Sequence, residues 1–146
     1  MRAGSVPPVP SQLTDVLPTV LEAIGAAYPT RYNGHEILPY EGRSLLGALR
    51  GGPPSDGALY WEHTGNAAMR RGQWKLVREY PRPWELYEVS RDRSEIHDVA
   101  NRYTDVVREL SAEWEQWAAR VGVIPWEVTV NMYLARGLTE DDASQA

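Results

Sequence analysis

Three histidines, at 35, 63 and 97, and an absence of cysteine frame what chemistry this 146-residue chain can do. Without Cys there are no disulfides, no thiolate–metal sites and no cysteine nucleophile. The histidines are too scattered along the chain to give a metal-ligand spacing. HExxH, a Gly-rich phosphate loop and a G-x-S-x-G elbow are all missing. The carboxylate pair Asp141-Asp142 stands in an acidic terminal stretch, where solvated charge is the plainer reading. The sequence therefore offers no catalytic residue and no metal site. His63 is the one candidate for a ligand contact. It closes Trp61-Glu62-His63 and enters a Thr-Gly-Asn turn, a position from which a side chain can project into a cleft. The competing reading is a turn histidine hydrogen-bonded to local backbone. Arg71 and Lys75 could hold an anion or serve as solvated strand cations. Trp74, Trp84, Trp114 and Trp117 could stack on a sugar, but their alternating and helical spacings point to core. His35, after Asn33-Gly34, and His97 read as structural or exposed.

The elements that must position these residues follow from periodicity. Val16, Leu17, Val20, Leu21 and Ile24 form one apolar helical face over 15–25, with Pro18 in the first turn and Gly25 as stop. A long connection with Pro and Gly breaks runs from 28 to 54, and a single helical turn is expected from Ser44-Leu45-Leu46. Residues 58–89 hold four short β-favouring runs separated by Gly and Pro signals, which predicts a four-stranded antiparallel meander. In the third run Trp74, Leu76 and Arg78 face one way and Lys75 and Val77 the other. Asp92-Arg93-Ser94-Glu95 has the form of a capping box and predicts one or two helical turns through Ala100. Val106, Val107, Leu110, Trp114, Trp117, Ala118 and Val121 define an amphipathic helix over 104–121, ended by Gly122. The fold class expected is thus α+β: a small antiparallel sheet (58–89) packed on a C-terminal helix (104–121), with an N-terminal helix (15–25) and a long loop. All 146 residues read as one subdomain, with an extended leader over 1–14 and a frayed tail over 136–146.

Composition narrows the function classes. A net charge of −5 argues against broad electrostatic binding of nucleic acid. No apolar run approaches a membrane span and residues 1–10 lack a signal-peptide core, so a soluble, cytoplasmic chain is expected. Six Trp and eight Tyr with no Phe give every aromatic side chain a polar group that needs a partner when buried.

The order of segments resembles the C-terminal region of a type I sulfatase of the bacterial arylsulfatase kind, in the alkaline-phosphatase-like superfamily. The resemblance rests on DVLPTVLEAIG (15–25), on Gly42-Arg43-Ser44-Leu45, and on Trp61-Glu62-His63 with Gly65-Asn66. It continues through Arg70 to Val77, Trp84-Glu85-Leu86-Tyr87, Asp92-Arg93-Ser94-Glu95 and Trp114 to Arg120, covering about residues 2–126. What it implies is hydrolysis of sulfate esters by a formylglycine made from Cys or Ser in a C/S-x-P-x-R motif, beside a cation, usually calcium. Those parts belong to a large N-terminal catalytic domain. This chain has no Cys, and Ser5-Val6-Pro7-Pro8-Val9 lacks the Arg. Gln12 stands where relatives commonly carry His, and it cannot act as a cation or general acid. The resemblance therefore implies a cleft-forming C-terminal part, inactive alone, with His63 as a substrate-side contact. Calcium and formylglycine are expected in the missing domain, with that domain as partner and a sulfate ester as the parent's substrate. The alternatives are a stand-alone binding module and the C-terminal part of a phosphonate or phosphate ester hydrolase.

Overall fold

The periodic run after Asp15 forms helix α1 (Val16–Ile24) in a computed structural model that describes residues 9–53 and 57–139. The chain divides into two compact units, Met1–Gly57 and Ala58–Ala146. In the first, Asp15 is the organising residue and is only 3% exposed. Its carboxylate accepts from the Gln12 and Arg43 N–H groups, each at 2.8 Å. One turn on, the Thr19 hydroxyl donates to the Asp15 carbonyl (2.6 Å) and accepts from the Leu45 N–H (2.9 Å). Two short side chains thus satisfy backbone donors of the 43–45 segment and fix the long connection against α1. The approach is so close that a Cβ at Gly42 would lie 1.9 Å from the Thr14 carbonyl oxygen. Gly25, at φ 67, ends α1 as a left-handed cap. The connection also holds a two-residue hairpin, β1 (Arg31–Tyr32) and β2 (His35–Glu36), turning on Asn33 and Gly34. Both turn residues have positive φ, the type I′ arrangement that Asn-Gly favours. Leu46–Leu49 makes the single helical turn α2.

The second unit contains β3 (Leu59–His63), β4 (Asn66–Arg71), β5 (Trp74–Arg78) and β6 (Glu85–Glu88), an antiparallel meander in sequence order. Its register aligns Tyr60, Met69, Leu76 and Leu86 in one row across the sheet. Cross-strand partners share a face, so this row makes the apolar side. Helix α3 (Thr104–Val121) covers it with Leu110, Trp114 and Ala118. Met69, Leu76, Leu86 and Leu110 are completely buried. Aromatic rings close the edges: Tyr60 stacks on Trp117 at 5.1 Å and Trp84 meets Trp114 edge-on at 5.7 Å. The α+β architecture expected from the alternation and helical stripe is the one observed.

Three segments differ from expectation. Residues 92–99 form no helix: the Asp92 carboxylate accepts from the Ile96 and His97 N–H groups at 2.9 and 2.8 Å, capping a loop instead. Glu95 takes a positive φ of 55°, which leaves its side chain free to pair with Lys75 at 2.6 Å. The stretch after Pro125 contains a helix, α4 (Trp126–Ala135), where no element was expected. Most of the leader and tail, including Ser5 and Asp141-Asp142, lies outside the described residues; residues 9–12 and 138–139 have no regular structure.

Candidate functional site

His63 is placed by the turn between β3 and β4. Thr64 (φ 50) and Gly65 (φ 83) join β3 to β4 in another two-residue turn with positive φ at both positions. The Glu62 carboxylate accepts from the Gly65 N–H at 2.9 Å, and the Thr64 hydroxyl donates to the His63 carbonyl at 2.8 Å. The backbone of His63, not its imidazole, takes part in the turn, and the side chain is exposed. It borders a shallow hollow of about 590 Å³ on the sheet face opposite α3. Trp61, Asn66, Ala68, Val77 and Tyr80 line the same hollow. The Asn66 side chain accepts from the Tyr80 N–H at 3.0 Å, which ties the β3–β4 turn to the end of β5.

The other candidates do not converge on His63. Lys75 pairs with Arg70 across the sheet and Arg71 with Trp74, so Lys75 and Arg71 point to opposite faces. Each already has carboxylate partners: Lys75 binds Glu95, while Arg71 binds Glu109 and Glu113, all at 2.6 Å. They are not a joint anion site. Glu113 also accepts from the Tyr60 hydroxyl at 2.6 Å. Burial, with the Glu113 carboxylate, pushes that hydroxyl up to about 12. Trp74 packs on Tyr103 at 4.9 Å, and Trp84, Trp114 and Trp117 pack on one another and on the core, the reading their spacing favoured. His35 and His97 are exposed. His97 lies 3.6 Å from Asp92, whose carboxyl the His97 N–H holds below the usual carboxylate range. Among the described residues no group of three or more His, Cys, Asp or Glu could hold a metal ion. No helix among them is long and apolar enough to cross a membrane.

No protein-family model matches the chain. An uncharacterised sulfatase of Schizosaccharomyces pombe is 28% identical over 118 residues, which is 75% of this chain and 21% of the relative. Arylsulfatase K of Danio rerio is 25% identical over 116 residues, 75% of this chain and 22% of the relative. This chain matches part of a sulfatase. Among solved structures, Ps i-CgsB superposes with a TM-score of 0.57 at 25% identity, covering 71% of this chain and 23% of that one. The chain spans about a fifth of the length of the curated sulfatases it matches. Beside the sulfatase match, the geometry shows one further feature that sequence reasoning missed. On the α3 side of the sheet, Glu62, Arg78, Trp114 and Trp126 line a second cleft. The only prior signal for it was Trp126 following Pro125.

Proposed function

We propose that the chain is the C-terminal part of a type I, arylsulfatase-like sulfuric ester hydrolase, shaping the substrate cleft of a catalytic domain that it does not contain. The observation that carries this reading is the match to two sulfatases over three quarters of this chain but about a fifth of theirs. On this reading, formylglycine and calcium belong to the partner domain. His63 contacts the sulfate ester from the exposed tip of β3. Helix α1 supplies the docking surface. Val16, Leu17, Val20 and Ile24 are 44–69% exposed on that one helix, an apolar stripe of the kind that marks an interaction site.

The translated DNA upstream of Met1 tests the proposal. A C/S-x-P-x-R motif encoded in frame, or in an adjoining reading frame, is the expected result; an unrelated upstream neighbour would count against it. A phosphonate or phosphate ester as the parent's substrate is decided by the same upstream residues.

A further inference from the structure

The β3–β4 turn holds a conformation that its sequence resists. Thr64 stands at φ 50 and Gly65 at φ 83. Glycine takes such an angle freely, but a β-branched residue there is an outlier. Strain of this kind persists only where the surroundings over-determine it. Two restraints come from the turn itself. The Thr64 hydroxyl donates to the His63 carbonyl at 2.8 Å, and the Glu62 carboxylate accepts from the Gly65 N–H at 2.9 Å. A third comes from β5, whose end is tied to the turn by the Tyr80 N–H donating to the Asn66 side chain at 3.0 Å.

The remaining restraint arrives from much later in the chain. Gly122 ends α3 at φ 78, Val123 packs against the core cluster, and Pro125 opens α4. This short link returns the chain to the turn, with Trp126 as the first residue of the helix. Trp126, Thr129, Val130 and Tyr133 are half-buried and recur at i, i+3, i+4 and i+7, one helical face. Val128, Met132 and Leu134 are 46–49% exposed. Trp126 lies directly on Gly65, where a Cβ would meet its side chain at 2.8–2.9 Å. Gly65 is buried although it sits in a hairpin turn. Trp126 also borders both the hollow beside His63 and the cleft on the α3 side, so it spans the turn.

We propose that Trp126 is a positioning residue: by closing over Gly65 it keeps Thr64 in the left-handed region and so fixes where His63 stands at the edge of its hollow. The consequence for substrate rests on the reading of His63 as a substrate contact; the clamp itself is a property of this chain alone. Without the indole, the Gly65 backbone faces open space. The turn can then relax the Thr64 strain by swinging its tip, and His63, one residue away, moves with it.

Native-state hydrogen exchange and NMR on the full chain test this. Wild type should show a nuclear Overhauser contact between the Trp126 ring and the Gly65 Hα protons. In Trp126→Ala the Gly65 and Tyr80 amides should exchange about tenfold faster, with Met69 and Leu76 unchanged, and the His63 ring signals should shift. Trp126 is outside the buried core cluster, so the midpoint of thermal unfolding should fall by no more than about 5 °C. Trp126→Phe keeps a ring over Gly65 and should stay close to wild type, as should Met132→Ala on the outer side of the same helix. The strain supplies the decisive variant. Asn tolerates positive φ, so Thr64→Asn combined with Trp126→Ala should bring Gly65 exchange back to within about threefold of wild type. The proposal is overturned if the Overhauser contact is absent, if Trp126→Ala leaves the turn amides and His63 signals as in wild type, or if Thr64→Asn gives no rescue. Joined to a catalytic domain, Trp126→Ala should raise KM by about the same factor as His63→Ala, and the double variant no further. A turn that loosens while neither variant moves KM would overturn the substrate role of His63 and leave the clamp established.

Discussion

Leu110→Ala is the sharpest probe of how this unit is held together. Leu110 is completely buried and belongs to the same core cluster as Met69, Leu76 and Leu86. Removing about three carbon groups forfeits roughly 2.4 kcal/mol of transfer free energy, at about 0.8 kcal/mol per methylene. A cavity term adds to this, because a sheet on one side and a helix on the other cannot collapse freely; measured Leu→Ala losses run from about 2.7 to 5.0 kcal/mol. We expect a loss of about 3–4 kcal/mol from a domain whose total stability is on the order of 5–10 kcal/mol. The midpoint of thermal unfolding should then fall by about 12–30 °C, at about 4–8 °C per kcal/mol. Urea unfolding followed by tryptophan fluorescence reads the loss directly, since Trp114 and Trp117 lie in or against this core. Ile96→Ala, at a position 72% exposed, is the control and should stay within about 0.5 kcal/mol of wild type. A loss below about 1 kcal/mol for Leu110→Ala would refute the packing of α3 over the Tyr60–Met69–Leu76–Leu86 row.

Four further outcomes follow from the geometry. Asp15→Ala leaves the Gln12 and Arg43 N–H groups without their acceptor and should cost about 2–4 kcal/mol. Faster hydrogen exchange at the Arg43 and Leu45 amides would report it. Gly65→Ala places a Cβ against the Trp126 ring at φ 83 and should cost about 1–2 kcal/mol, with a changed near-UV circular dichroism signal. The raised Tyr60 hydroxyl, about 12 in the folded chain, contributes stability that is complete below the unfolded value of about 10 and lost as pH rises through about 12. The urea midpoint should therefore decline across that window, less steeply in Tyr60→Phe. His63→Ala, at an exposed position, should change stability by less than about 0.5 kcal/mol, while on the proposed function it should raise KM once the chain is joined to a catalytic domain.

What the sequence made legible depended on how local the signal was. Alternation over 58–89 and the stripe from Val106 to Val121 are local, and the meander and α3 followed from them. The segment at 92–100 misled because Asp92 and Glu95 suit a capping box and a loop equally well. Only the sheet brings Lys75 to Glu95 and commits that side chain elsewhere. Helix α4 was hidden because Val128-Thr129-Val130 is β-branched and polar and apolar residues do not separate into faces. Asp15 gave no sign of burial, since its acceptor role depends on the Arg43 backbone 28 residues away. The cleft lined by Glu62, Arg78, Trp114 and Trp126 was illegible for the same reason, since Trp114 and Trp126 return to the β3–β5 strands from much later in the chain.

Hydrolysis of an aryl sulfate by the purified chain, with calcium supplied, tests the central claim most directly. If, as proposed, the chain is a sulfatase part without the catalytic domain, it should release no sulfate above the buffer control at any protein concentration. Release that rises in proportion to the chain, and falls in His63→Ala, would contradict the account by placing the catalytic machinery within these 146 residues.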